Sequence, residues 1–193
     1  MVSQSSISGK EPWLAVLLST SFPGIGQFYA GQRVRGVVFC AIALSIILTT
    51  GWLLLSPTGS IRLVIQLVIG SIIFNIFSLF DAHRCARRAN NAEFESRRKG
   101  DKDPWLAVFL SNLIPGLGHA YQGDWGFAIL FFLLIVGARV VLGAIPLLSI
   151  VAAGLLMACF YHVYVTSPVE KEKSQQLIVR ICAFLLAVNI LSV

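Results

Sequence analysis

Few side chains in this chain could act as base, nucleophile or ligand. The three histidines, His83, His119 and His162, lie far apart and lack paired carboxylates at ligand spacing, so the sequence predicts no metal site. The four cysteines, Cys40, Cys85, Cys159 and Cys182, form no C-x-x-C pair. Three of them sit in apolar runs, where a free thiol behaves as a small hydrophobe. A nucleophilic serine or cysteine needs a base within hydrogen-bond reach. The bases in the apolar parts are His119 and His162, and neither has an evident orienting carboxylate nearby in sequence. The glycine-rich stretches are no phosphate loop, because G-x-x-x-x-G-K-[ST] is absent and no strand precedes them. The expectation is a chain with no catalytic residue and no cofactor. Its most polar cluster at a helix end, Asp81 with His83 and Arg84, is expected to be a helix-terminal anchor or a partner contact.

The unusual residues occur twice instead. Residues 10–31 read KEPWLAVLLSTSFPGIGQFYAG and residues 102–123 read KDPWLAVFLSNLIPGLGHAYQG; at an offset of 92 they agree at 13 of 22 positions. Agreement of that order predicts a tandem duplication, with a period too long for a solenoid. The motif residues are Pro23, Gly24, Gly26, Gln27, Tyr29 and Gly31 in the first copy. Their counterparts are Pro115, Gly116, Gly118, His119, Tyr121 and Gly123 in the second.

Composition says what solvent surrounds them. Of 193 residues 56% are hydrophobic and 12% charged, and the mean hydropathy is +0.80. A soluble domain carries roughly 25% charged residues. The charges are clustered, which leaves apolar runs near the ~20 residues that cross a bilayer as a helix. An all-α integral membrane protein is expected. The net charge of +6 then reads as a topology signal and nucleic acid as a poor partner, because the basic residues flank apolar runs.

Each copy is expected to be a short helix broken at Pro-Gly, followed by two spans. Residues 12–22 are too short to cross, and Pro23-Gly24 breaks them; a re-entrant or interfacial half-helix is preferred over a kinked span. Pro12 fits a first helical position, and Trp13 reads as an interfacial anchor. Residues 34–55 and 61–80 are the first span pair. On the latter, Ser71, Asn75, Ser78 and Asp81 share a face, read as interhelical packing. In the second copy Trp105–Ile114 is the short segment. One span runs from Asp124-Trp125-Gly126 to about Ala144 and another from Pro146 to about Tyr164. Arg139 is placed to snorkel, and Gly154, Ala158 and His162 share a packing face.

This gives a first membrane unit over 1–80, a basic linker over 81–103, and a second unit over 104–165. Residues 166–193 are a polar loop with a final membrane helix at Leu177–Val193. The linker holds seven of the fifteen Lys and Arg residues, so the positive-inside rule makes it cytoplasmic. The two units then point the same way if the Pro-Gly segments do not cross. The first apolar run meets Pro23-Gly24 with no cleavage signature, so no secretory signal is read there.

The stretch Pro23-Gly24-Ile25-Gly26-Gln27-Phe28-Tyr29-Ala30-Gly31, followed by two spans and Phe80-Asp81, resembles the TM2-type membrane modules. In those, a glycine bend precedes a helix pair that closes on an Asp. The wording PWLAV-x-LS…PGxGQ-x-Y-x-G is similar to that of bacterial, particularly cyanobacterial, PGxGQ-x-Y repeat membrane proteins, some of which precede a type I signal peptidase domain. The resemblance covers about 160 residues. The second copy departs from it, with His119 for Gln27 and Tyr161-His162 near where Asp81 would recur. It implies a bacterial inner or plasma membrane, or a thylakoid-type membrane. The peptidase's Ser-Lys dyad would need a Ser-Met nucleophile, and no lysine here follows one. The expected function is a non-enzymatic multi-pass membrane scaffold or assembly module whose partners are the bilayer and other membrane proteins. The alternatives are the membrane domain of a type I signal peptidase and a small transporter-like protein. The sequence leaves the oligomeric state open.

Overall fold

The computed structural model describes residues 9–100, 102–142, 146–168 and 178–184, and these are helical with no strand among them. The chain divides into two compact units, Met1–Phe94 and Glu95–Val193.

In the first unit α1 spans Pro12–Ser21, α2 Ile25–Tyr29, α3 Arg33–Leu55 and α4 Ile61–Ala89; α5, Ala92–Gly100, follows across the boundary. Proline occupies the first turn of α1, where its missing N–H costs nothing. The helix stops at Phe22, which precedes Pro23 and is extended, at φ −159° and ψ 131°. Gly24 then takes φ +107°, a left-handed conformation that glycine adopts without strain, and α2 starts from it.

Small residues let α1 lie close along the end of α4: Ala15, Ala82 and Ala86 are fully buried, with Cys85 and Ala30 beside them and Tyr29 packed against the group. Two contacts show where this segment begins and ends. The Lys10 N–H donates to Asn90 Oδ1 at 2.6 Å and Asn90 Nδ2 donates to Lys10 O at 2.8 Å, fixing the entry of α1 to the end of α4. Two residues into α3, Arg35 pairs with Asp81 on α4 at 2.9 Å. The α1–α2 segment therefore enters and leaves at the same end of the α3–α4 pair. Beyond it α3 and α4 pack through Phe39, which stacks on Phe74 and Phe77 at 5.4 and 5.9 Å.

α3 and α4 are long and apolar enough to cross a membrane, with mean hydropathies of 2.4 and 2.3, and only 11% of each apolar window is buried. α4 does not end where its apolar run does. Residues 81–89, expected in the linker, continue the helix and supply the face that α1 covers. They belong to the first unit.

In the second unit α6 spans Pro104–Leu113, α7 Leu117–Gln122, α8 Trp125–Leu142 and α9 Pro146–Thr166. Asp103 caps α6, its Oδ1 accepting from the N–H groups of Trp105 and Leu106 at 2.9 and 3.2 Å. The start of α6 again meets the end of the last helix: Ser167 Oγ donates to Lys102 O at 3.1 Å, and Trp105 packs on Tyr164 with ring centroids 5.0 Å apart. Trp105 is fully buried with Phe160, Val163 and Tyr164, and Trp13 is half-buried against the edge of His83 at 5.0 Å. Both tryptophans thus pack on the end of a later helix of their own unit. Trp52 and Trp125 are the exposed ones, at 73% and 66%. Of the last apolar segment only 178–184 is described, and it is helical; the remainder of 177–193 and the loop 169–176 lie outside the described residues.

Candidate functional site: the two glycine bends

The 92-residue offset recurs in the hydrogen bonds. The Gly26 N–H donates to Ser19 Oγ at 3.1 Å, and the Gly118 N–H donates to Ser111 Oγ at 3.1 Å. The Glu11 N–H donates to the Tyr29 hydroxyl at 3.0 Å, and the Asp103 N–H to the Tyr121 hydroxyl at 3.3 Å. The Gln32 N–H reaches Gln27 O at 2.9 Å, as the Asp124 N–H reaches His119 O at 2.9 Å. In both units the serine accepts a backbone donor at the start of the short second helix, while the tyrosine accepts one at the start of the first. Ser19 and Ser111, not singled out from the sequence, are thus part of each bend. Their signal was present, since both lie in the Leu-Ser pair that the two copies share.

The glycines are fixed by backbone approach. A Cβ on Gly26 would run into the carbonyl oxygen of Ala15, and one on Gly118 into that of Ala107. Gly24 and Gly116 combine positive φ, +107° and +85°, with contact against the carbonyls of Gly36 and Ala128 on the following long helix. The remaining motif glycines close the short helices: Gly31 and Gly123 have φ +82° and +94°, with open space around Gly31. Pro23 and Pro115 sit between the extended residue and the left-handed glycine.

The position that differs between the copies carries the polar centre. Gln27 is fully buried. Its Nε2 donates to Ser78 O at 3.1 Å and to Asp81 Oδ2 at 3.2 Å, and its Oε1 accepts from Ser19 Oγ at 3.4 Å. Asp81 is held on its other oxygen by Arg35, and the Cys85 thiol lies 3.6 Å from Asp81 Oδ2. One amide thereby ties α1, α2 and α4 together, and the arginine adds α3.

His119 takes the same place in the second unit and is also fully buried. It finds its partner on α9: Nε2 lies 2.9 Å from Nδ1 of His162. The ring stacks on Phe131 at 4.9 Å, and Phe127 covers His162 at 4.5 Å. His119 Nδ1 has no hydrogen-bond partner among the described residues. A buried orphan N–H is rarer than a buried lone pair, which assigns the proton to Nε2, donating to His162. Beside it, Gln122 Nε2 donates to Val163 O at 2.6 Å, and Gln122 Oε1 accepts from Thr166 Oγ1 at 3.1 Å.

Of the polar cluster at the end of α4, Asp81 is inside this network, His83 packs on Trp13, and Arg84 is exposed. The expected face of Ser71, Asn75, Ser78 and Asp81 divides. Ser78 and Asp81 meet Gln27, whereas Ser71 Oγ and Asn75 Nδ2 bond carbonyls of their own helix. No group of three or more metal-ligating side chains stands together among the described residues. Compared with family models, with curated proteins and with solved structures, the chain matches none.

Proposed function

We propose that this chain is a non-enzymatic multi-pass membrane protein, a tandem pair of α-helical units that serves as a scaffold or partner-binding module in a bacterial-type membrane. Each unit consists of a re-entrant half-helix turning at its Pro-Gly bend and two membrane-crossing helices, and the basic stretch after α4 faces the cytoplasm. The observation that carries this reading is the division of labour between side chains. The buried polar groups of the bends, Gln27 with Asp81 and His119 with His162, bond each other across the helices. The apolar surface of α3 and α4 is left uncovered, with Leu48 70% and Ile73 63% exposed. Exposed apolar helices of that length are at home in lipid, and polar groups below the surface must find partners within the protein. A half-helix that enters and leaves on one side keeps its broken backbone against α4 and not against lipid.

The test is reconstitution of the full chain in liposomes with a preprotein and an entrapped solute, together with photocrosslinking in cells from Ile47 on exposed α3. The expected result is neither cleavage nor solute flux, and a crosslink to a discrete membrane protein at Ile47. Cleavage that disappears on His119→Ala or His162→Ala would overturn the reading in favour of an enzyme. Solute flux would overturn it in favour of a transporter.

A further inference from the structure

The outer face of α4 changes character over a single turn. Phe77 and Phe80 are exposed, at 58% and 64%, and the next exposed side chains on that line are Arg84 and Arg88. At 100° per residue these four positions fall in a stripe about 80° wide. Arg33, exposed at the first residue of α3, lies at the same end, because Arg35 half a turn further on is paired with Asp81.

The side chains of Arg33, Arg84 and Arg88 make no ion pair or hydrogen bond among the described residues. Asp81, the carboxylate one turn from Arg84 on α4, is occupied by Arg35 and Gln27. Glu11, Glu93 and Glu95 are engaged in contacts of their own. Three guanidinium groups without a partner among the described residues thus border the uncovered apolar face of a helix.

We infer that Arg84 and Arg88, with Arg33, form a docking site for the phosphate of an anionic phospholipid whose acyl chains lie along Phe77 and Phe80. The inference rests on the membrane reading above and names the lipid class this end of the unit selects. A free phosphate would gain nothing from the two phenylalanines one and two turns away, whereas a lipid meets apolar and cationic residues in the order its own tail and headgroup present. Guanidinium is suited to phosphate because its fork of N–H donors matches two oxygens at once. Each basic side chain near an anionic surface is worth about fivefold in association.

The experiment compares spin-labelled phosphatidylglycerol with spin-labelled phosphatidylcholine around the full chain in phosphatidylcholine vesicles, reading the motionally restricted fraction. Phosphatidylglycerol is expected to be preferred severalfold. The preference should shrink as salt rises, vanish in Arg84→Gln/Arg88→Gln, and persist in Arg84→Lys/Arg88→Lys. The melting temperature of the glutamine variant should match that of the unaltered chain, since both side chains are exposed. Equal restriction of the two lipids, or a preference that survives the glutamine pair, would overturn the site. Inorganic phosphate that displaces the lipid beyond the effect of chloride at equal ionic strength would overturn the headgroup assignment. Absence of restricted lipid of either kind would overturn the membrane reading itself, an outcome distinct from insertion without lipid preference.

Discussion

Alanine in place of Gly26 or Gly118 is expected to cost about 3 kcal/mol of stability at each position, at the upper end of what overpacking a well-packed site costs. The added methyl meets a backbone carbonyl of the preceding short helix, Ala15 in the first unit and Ala107 in the second, and a carbonyl cannot rotate away as a side-chain end can. Relief requires the two short helices to separate. That also pulls the glycine N–H away from Ser19 or Ser111. The comparison is internal to the chain. Gly51 and Gly154 lie within long helices with open space where a Cβ would go, so alanine there should be neutral or stabilising by roughly 0.5–1 kcal/mol. Thermal unfolding in detergent, read for all four variants, checks the contrast. Equal effects at bend and helix glycines would mean that the half-helices are not packed as described.

Removal of the polar centre is the second large effect. Gln27→Leu conserves volume but leaves the part-buried Asp81 carboxylate with a missing donor and the buried Ser19 with a missing acceptor. The expected loss is about 2–4 kcal/mol, from broken bonds and from polar groups left without partners. Gln27→His should cost less, because an imidazole N–H can still reach toward Asp81 as His119 reaches His162. A double-mutant cycle of Gln27→Leu with Asp81→Asn isolates the contact, and its coupling energy is expected to be about 1–2 kcal/mol. Additive losses would place the contribution of Gln27 in its packing alone.

The breaks in the short helices were legible from Pro-Gly after a short, mostly apolar run, and their ends fall within a residue or two of the expected positions. The residue at the polar centre was legible as part of a motif, though not what it does. Gln27 was one letter in a glycine-rich string, and its partners lie 51 and 54 residues away on another helix. Periodicity groups residues by face and does not say which neighbour covers that face. That is why Ser71 and Asn75 were set beside Ser78 and Asp81, when Gln27 on α2 reaches only the latter two. The end of α4 was misjudged for a related reason. Arg84, Arg87 and Arg88 make 81–89 read as a linker, yet Ala82, Cys85 and Ala86 on the opposite side supply a buried stripe. The ring contacts of Trp13 with His83 and of Trp105 with Tyr164 were not legible, because the partners lie 70 and 59 residues away on other helices.

The central claim is that the α1–α2 segment dips into the membrane and returns, leaving both its ends and the stretch after α4 in the cytoplasm. Lys10→Cys, Thr58→Cys and Ser96→Cys, each in a background without the four native cysteines, test it with an impermeant thiol reagent on intact and permeabilised cells. Thr58 lies in the turn between α3 and α4, and Lys10 is bound to Asn90 at the other end. Labelling of the Thr58 variant in intact cells, with the Lys10 and Ser96 variants labelled only after permeabilisation, is the expected result. Lys10 and Ser96 variants reporting opposite faces would mean that the half-helix crosses, and would contradict the account.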